Sequence, residues 1–93
     1  MIAESVIQQI HDLDIATVIG GYVALKHKGR YYECCCPFHN EKTPSFKVDS
    51  AKGKWYCYGS CQEGGDAIAF VMKYNNCSFY EAVKAIAHNH GIT

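Results

Sequence analysis

The sequence predicts a small α+β domain in which two antiparallel β-hairpins hold a zinc site and helices flank the hairpins at both ends. Two close pairs of soft metal ligands, Cys36 with His39 and Cys57 with Cys61, enclose a stretch rich in strand-forming residues. Apolar residues recur at helical spacing before and after this stretch. The 93 residues are expected to form one domain, residues 1–93, with the zinc core over about residues 22–61.

The N-terminal region predicts two short helices. Asp14 is placed to cap the second of them, and Gly20 with Gly21 ends it. The first helix is amphipathic, with apolar residues at roughly helical spacing: Ile2, Val6, Ile7, Ile10 and Leu13. Both helices are expected to pack on the hairpins that follow.

Two hairpins are predicted next. The first has strands over residues 22–27 and 30–36, joined by a turn at Lys28 and Gly29. In the second, Phe46 and Val48 share one face of a strand, a loop covers residues 49–53, and a strand over residues 55–57 returns. Each hairpin thus carries one pair of metal ligands.

Two helices are predicted after Cys61. Asp66, which follows Gly64 and Gly65, is an N-cap for the first of them. Ser78 and Glu81 form a capping box for the second, which Gly91 is expected to end.

The ligand pairs predict one structural zinc ion. Zn²⁺ binds thiolate and imidazole ligands tetrahedrally, and structural sites take all four ligands from two short knuckles. Pro37 stiffens the first knuckle and Gly59 allows the second to turn tightly. Four protein ligands leave no position for a reactive water, which disfavours a catalytic zinc. The paired spacing also disfavours the alternative of a core histidine among small apolar cysteines.

The run of Cys34, Cys35 and Cys36 leaves the choice of ligand open. Successive strand residues face opposite sides, so Cys34 and Cys36 share a side and Cys35 faces away. Cys36 is the preferred ligand, and Cys34 is the alternative that could replace Cys36 or Cys61. Cys77 lies far from both knuckles and is predicted to be a small buried apolar residue.

Chain length and composition predict that zinc stabilises the domain and that the protein is cytoplasmic. A chain of 93 residues has a small core, so a structural metal is expected to contribute to its stability. No signal peptide or membrane span is evident, so the six cysteines are expected in the reducing cytoplasm. The net charge is zero, but residues 22–58 carry seven cations against three anions, a local charge of +4.

Three stretches of the chain carry a resemblance to a known family. They are YVALKHKGRYYECCCPFHNEKTPSF (residues 22–46), WYCYG (residues 55–59) and GGDAIAF (residues 64–70). The chain resembles the N-terminal zinc-binding domain of bacterial DnaG-type DNA primases. The resemblance implies a zinc-ribbon-like antiparallel sheet flanked by helices, with Cys36, His39, Cys57 and Cys61 as ligands. The chain departs from the family in placing three residues, rather than two, between Cys57 and Cys61.

The resemblance also implies a role in starting RNA primers during DNA replication. A sheet that displays cations beside aromatic rings can follow a phosphate backbone and stack unpaired bases. We therefore expect the domain to bind single-stranded DNA template and to help select the initiation site. Nine residues are candidates for these contacts: Lys26, Arg30, Lys42, Phe46, Lys47, Lys54, Trp55, Tyr56 and Tyr58.

Catalysis is not expected from this chain alone, because its acidic residues form no evident Mg²⁺-binding group. The implied partners are a primase catalytic domain and a replicative helicase, with no membrane. The alternative function is a structural zinc module that docks a helicase or polymerase and scarcely touches DNA.

Overall fold

The computed structural model describes residues 3–38, 42–59 and 61–92, and it confirms the predicted fold class. A five-stranded antiparallel sheet lies between helices at both ends of the chain. The elements in chain order are α1 Glu4–His11, α2 Ile15–Gly20, β1 Lys26–Lys28, β2 Tyr31–Cys34, β3 Phe46–Asp49, β4 Lys54–Cys57, β5 Gly64–Gly65, α3 Ala67–Asn75 and α4 Phe79–Asn89.

The two N-terminal helices form where the sequence predicts them. The Asp14 carboxylate accepts a hydrogen bond from the Ala16 backbone N–H at 3.0 Å, which caps α2. Ile10 is buried at the end of α1, as are Ile15, Val18 and Ile19 in α2. The predicted helical residue Ile2 lies outside the described residues.

The first hairpin differs from its predicted boundaries. The backbone N–H groups of Tyr22 and Val23 both donate to Ile19 O, at 2.9 and 3.1 Å, so the end of α2 holds residues that were expected to begin a strand. Strand β1 therefore begins at Lys26, and the turn lies at Gly29 and Arg30, one residue later than predicted. Gly29 has φ +60°, a conformation that favours glycine.

The five strands form one meander in the order β1-β2-β3-β4-β5. The two predicted hairpins form one antiparallel sheet, because pairing of Cys34 with Phe46 and of Glu33 with Lys47 joins them through β2 and β3. Strand β3 therefore has β2 on one side and β4 on the other. This arrangement brings the ends of β2 and β4 to the same end of the sheet.

Strand β5 is absent from the sequence prediction. Gly64 and Gly65 pair with Tyr56 and Trp55 of β4. A Cβ atom at Gly64 would lie 2.6 Å from Trp55 O and 2.7 Å from Tyr56 Cδ2, so only glycine fits this close approach.

Both C-terminal helices begin at the predicted caps. The Asp66 carboxylate accepts from Ala69 N at 2.8 Å, and both hydrogen bonds of the Ser78–Glu81 capping box are present. Helix α3 packs against α2, α4 and β4.

The core lies between these helices and one face of the sheet. Four aromatic rings form its centre, Phe38, Phe46, Trp55 and Phe70, with centroid separations between 5.3 and 6.1 Å. Phe46 and Phe70 are fully buried. The Trp55 indole N–H donates to Asp66 O at 2.8 Å, so the polar atom of this ring is satisfied inside the core.

Candidate metal centre

Three thiols meet where the sheet places the two knuckles. Cys36 follows the end of β2, Cys57 ends β4, and Cys61 lies in the segment that leads to β5. The three Sγ atoms lie within 4.8 Å of one another, and Cys36 Sγ is 3.6 Å from Cys61 Sγ. Because this separation exceeds a disulfide bond length and fits sulfur atoms around one ion, the cluster suits a soft cation.

The electrostatics of the cluster favour a bound cation. Burial raises the pKa of the Cys36 thiol to about 12, and burial also raises the pKa of Cys61. Hydrogen bonds from the backbone of Phe38 and Glu63 act in the opposite direction on Cys36 and Cys61, respectively. Burial thus favours the protonated thiols when no ion is bound, whereas a bound cation would stabilise their thiolate forms.

Cys34, Cys35 and Cys77 lie in environments that differ from that of the three-thiol cluster. His39 lies outside the described residues. Cys34 is half-buried opposite Phe46, its pKa is raised to about 11 chiefly by burial, and it is not part of the three-thiol cluster. Cys35 is exposed, which agrees with its predicted outward orientation. Cys77 Sγ lies 3.9 Å from Val71 O, and this thiol is only partly buried.

Lys73 of α3 connects the two knuckles, a role that the sequence does not suggest. Its Nζ is 2.7 Å from the Glu63 carboxylate and 5.2 Å from the centroid of the Phe38 ring. Phe38 is two residues after Cys36, and Glu63 is two residues after Cys61. The hydrogen bond to Glu63 is the largest cause of the raised pKa of Lys73, and the Cys61 and Cys36 thiols contribute to it.

The sheet face opposite the core carries cations and tyrosines. Cross-strand neighbours in an antiparallel sheet point to the same face. One row runs across the strands from Lys26 through Glu33 and Lys47 to Tyr56. The adjacent positions Lys28 and Tyr31 pair in β1 and β2, and Asp49 and Lys54 pair in β3 and β4. We call this surface, formed by the outward residues of β1 to β4, the outer sheet face.

Two of the nine predicted DNA-contact residues are corrected by the structure. Phe46 is 0% exposed and Trp55 is 3% exposed, so neither ring has a surface on which a base can stack. Their partners in the core are the other aromatic rings, and strand alternation turns them away from the outer sheet face.

The other seven predicted residues reach the surface to different extents. Tyr56 and Tyr58 are 38% and 67% exposed. Lys26, Arg30, Lys42 and Lys54 are exposed. Lys47 is half-buried and donates to Glu33 at 2.6 Å, an interaction that lowers the pKa of the glutamate.

The structure adds Lys28 and Tyr31 to the outer sheet face. Both are exposed, and Tyr31 is 45% accessible. The predicted turn at Lys28 and Gly29 leaves Lys28 out of the strands, whereas Tyr31 lies in the predicted strand over residues 30–36 but is not among the nine candidates. The signal was present in the adjacent pair Tyr31 and Tyr32, of which only one can face the core.

Across the described part of the chain, no helix is long and apolar enough to cross a membrane.

Comparisons with known proteins match the whole chain. The family model described as CHC2 zinc finger matches residues 2–93. The chain is 54% identical over 77 residues to a DNA primase of Chlamydia trachomatis, covering 83% of this chain and 13% of that protein. It is 50% identical over 94 residues to a DNA primase of Clostridium acetobutylicum, covering 100% of this chain and 16% of that protein.

A solved structure matches the fold as well. The crystal structure of the Aquifex aeolicus primase, comprising zinc-binding and RNA polymerase domains, aligns with a TM-score of 0.85 at 38% identity. The alignment covers 97% of this chain and 22% of the Aquifex chain. Together with the three-thiol cluster, the family match identifies the ion as one zinc. The zinc has a structural role, in which it crosslinks segments that are distant in sequence.

Proposed function

The chain belongs to the CHC2 zinc finger family, the zinc-binding domain of bacterial DNA primases, and we propose that it binds single-stranded DNA template and helps select the site where an RNA primer begins. The observation that carries this proposal is the outer sheet face. Its exposed cations and tyrosines match the two requirements of single-strand binding, which are neutralisation of phosphates and stacking of bases.

The candidate DNA-binding cations, on the outer sheet face and in the adjoining loops, divide into paired and available groups. Lys47 Nζ lies 2.6 Å from the Glu33 carboxylate, so this lysine is paired across β2 and β3 rather than available for a phosphate. Lys26, Lys28 and Lys54 are exposed on the strands, and Arg30 is exposed in the turn between β1 and β2. Lys42 is exposed beyond the first knuckle. These five cations are the proposed phosphate contacts.

The proposed zinc ligands are Cys36, His39, Cys57 and Cys61. Three of them supply the thiol cluster, and His39 completes the four-ligand set that a closed structural site requires. Zinc then fixes the end of the sheet from which Tyr58 projects. Zinc binding and DNA binding are therefore coupled through the position of this segment.

The chain spans 13% and 16% of the length of the Chlamydia and Clostridium primases that it matches. We propose that nucleotidyl transfer resides in a separate primase catalytic domain, with this domain presenting the template to it. A replicative helicase is the further proposed partner.

The proposal is tested by removing one charge from each side of the molecule. Lys54→Ala deletes a cation of the outer sheet face, whereas Lys84→Ala deletes one from α4, where Lys84 lies 5.3 Å from the Tyr80 ring centroid. Both variants have the same net charge. Lys54→Ala should weaken binding to single-stranded DNA and reduce the salt slope by about 0.7 if one phosphate contact is lost.

Lys84→Ala should bind like the parent. Arg30→Ala and Lys42→Ala should behave like Lys54→Ala, with folding unchanged. Equal binding by Lys54→Ala and Lys84→Ala at low salt would contradict the assignment of DNA to this face.

Protein docking is the second candidate function. It is favoured by zero net charge and by Phe79 and Tyr80 on α4, which are 45% and 48% exposed. A helicase or polymerase docked there would bind with weak salt dependence and would be insensitive to Lys54→Ala. The same pair of variants therefore separates the two functions.

A further inference from the structure

A cleft of about 360 Å³ opens beside the metal centre, and among the residues that the structure describes it is lined by Tyr56, Tyr58 and Gln62. The two tyrosine rings have their centroids 4.7 Å apart and are tilted by 56°. The Gln62 side chain is exposed at the same cleft. The cleft therefore presents two aromatic rings and one carboxamide to solvent.

The backbone around this cleft is held in place. Tyr58 N donates to Ser45 O and Cys57 N donates to Glu63 O, both at 2.8 Å, which extends the sheet pairing on either side of β4. The Tyr56 hydroxyl donates to Gln62 O at 3.2 Å. Exposed rings on a fixed backbone lose little conformational freedom on binding, which is the property expected of a recognition surface.

Gln62 has an unusual backbone conformation. Its φ is +45°, in the left-handed region that favours glycine. A glutamine adopts this conformation at a cost, so the chain retains a carboxamide where glycine would fit with less strain. This observation points to a role for the side chain rather than for the turn.

The chemistry of the cleft matches an unpaired nucleobase. Aromatic rings stack on the face of a base, and a carboxamide offers one donor and one acceptor to its edge. Lys54, two residues before Tyr56 on the same face of β4, is exposed and is one of the proposed phosphate contacts. Its charge suits a phosphate near the base.

We infer that one unpaired template base stacks on the exposed face of Tyr58, whose other side contacts Tyr56, and that Gln62 discriminates among bases at this position. This inference rests on the proposed function and extends it, because it assigns a base-reading residue to a surface that otherwise contacts phosphates. Tyr58 supplies the stacking surface, Tyr56 supports the Tyr58 ring and holds the Gln62 backbone, and the Gln62 carboxamide contacts the base edge.

The test uses the zinc-loaded chain and three labelled single strands, homopolymers of dA, dC and dT of equal length. Because the strands carry equal numbers of phosphates, differences in their affinities report mainly on the bases. Fluorescence anisotropy at fixed salt gives the affinity of each strand for the parent and for Tyr58→Ala, Tyr58→Phe and Gln62→Gly. Zinc content and circular dichroism confirm that each variant is folded.

Tyr58→Ala should lose about 5- to 150-fold in affinity, the range for one stacked base, while Tyr58→Phe retains the ring and binds like the parent. Gln62→Gly suits the left-handed backbone and should fold and bind zinc normally. It should reduce the affinity ratio between the best and worst strands by about fivefold or more.

The outcomes separate this inference from the proposed function. If the parent binds none of the three strands, the proposed function fails and the inference fails with it. If the parent binds but Tyr58→Ala binds equally well, or Gln62→Gly keeps the parent's ranking and its size, the inference alone is overturned.

Discussion

Loss of zinc should unfold this domain, and Cys57→Ser is the sharpest way to test that dependence. Cys57 is fully buried at the end of β4, and it belongs to the same core cluster as Phe46 and Trp55. A chain of this length has a total stability of about 5 to 14 kcal/mol. Structural zinc in small peptides contributes about 10 to 16 kcal/mol, which is of the same size as that total. Without the ion, the apolar core therefore has too little surplus to keep the sheet folded.

The assay measures zinc per chain and far-UV circular dichroism on the same samples. The parent should hold one zinc and lose its ordered spectrum when a strong chelator is added. Cys57→Ser should lack zinc and have a largely unfolded spectrum. Cys35→Ser is the matched control, because Cys35 is exposed and outside the thiol cluster, and it should keep both zinc and fold. A Cys57→Ser variant that retains stoichiometric zinc and the parent's spectrum would refute this reasoning.

Three further predictions concern the same site. Cys61→Ser should lose zinc whereas Cys34→Ser should retain it, as measured by metal content; the reverse result would give the ligand position to Cys34. Zinc affinity, measured by competition with a chromophoric chelator, should fall as the pH is lowered from about 8 to about 6. The pKa of Cys36 is raised, so its proton must leave before zinc binds. An affinity that stays constant over this range would exclude thiolate ligation. Lys73→Met should speed zinc loss to a chelator, by less than about tenfold, because Lys73 contacts both Phe38 and Glu63. Lys73→Arg and Lys84→Met should leave the rate of zinc loss unchanged, and equal rates in all three variants would remove this role.

The helices were predictable because their signals are local. Asp14, Asp66 and Ser78 cap the helices that follow them, and each cap uses a side chain within three residues of the backbone group it satisfies. The three-thiol cluster was predictable for a similar reason. Each knuckle is a short segment whose spacing already indicates its ligand type.

The errors arise where pairing is distant in sequence. Strand β5 was missed because Gly64 and Gly65 resemble a loop until β4 is placed beside them. The turn error differs because it is local: Lys28 and Gly29 fit a hairpin turn, but Lys28 pairs with Tyr31 and the chain turns at Gly29 and Arg30. The limit set by distant pairing also applies to ring orientation. Strand alternation places Trp55 and Tyr56 on opposite faces of the sheet but does not say which of them faces the core.

Binding of single-stranded template through the outer sheet face is tested most directly by comparing the affinity of this zinc domain for one strand and for its blunt duplex across a salt series. Fluorescence anisotropy of the zinc-loaded chain should show tighter binding to the single strand. The logarithm of its affinity should fall linearly with the logarithm of salt concentration, with a slope of about −0.7 for each phosphate contacted. Equal or tighter binding to the duplex, or single-strand affinity that does not change with salt, would contradict the claim.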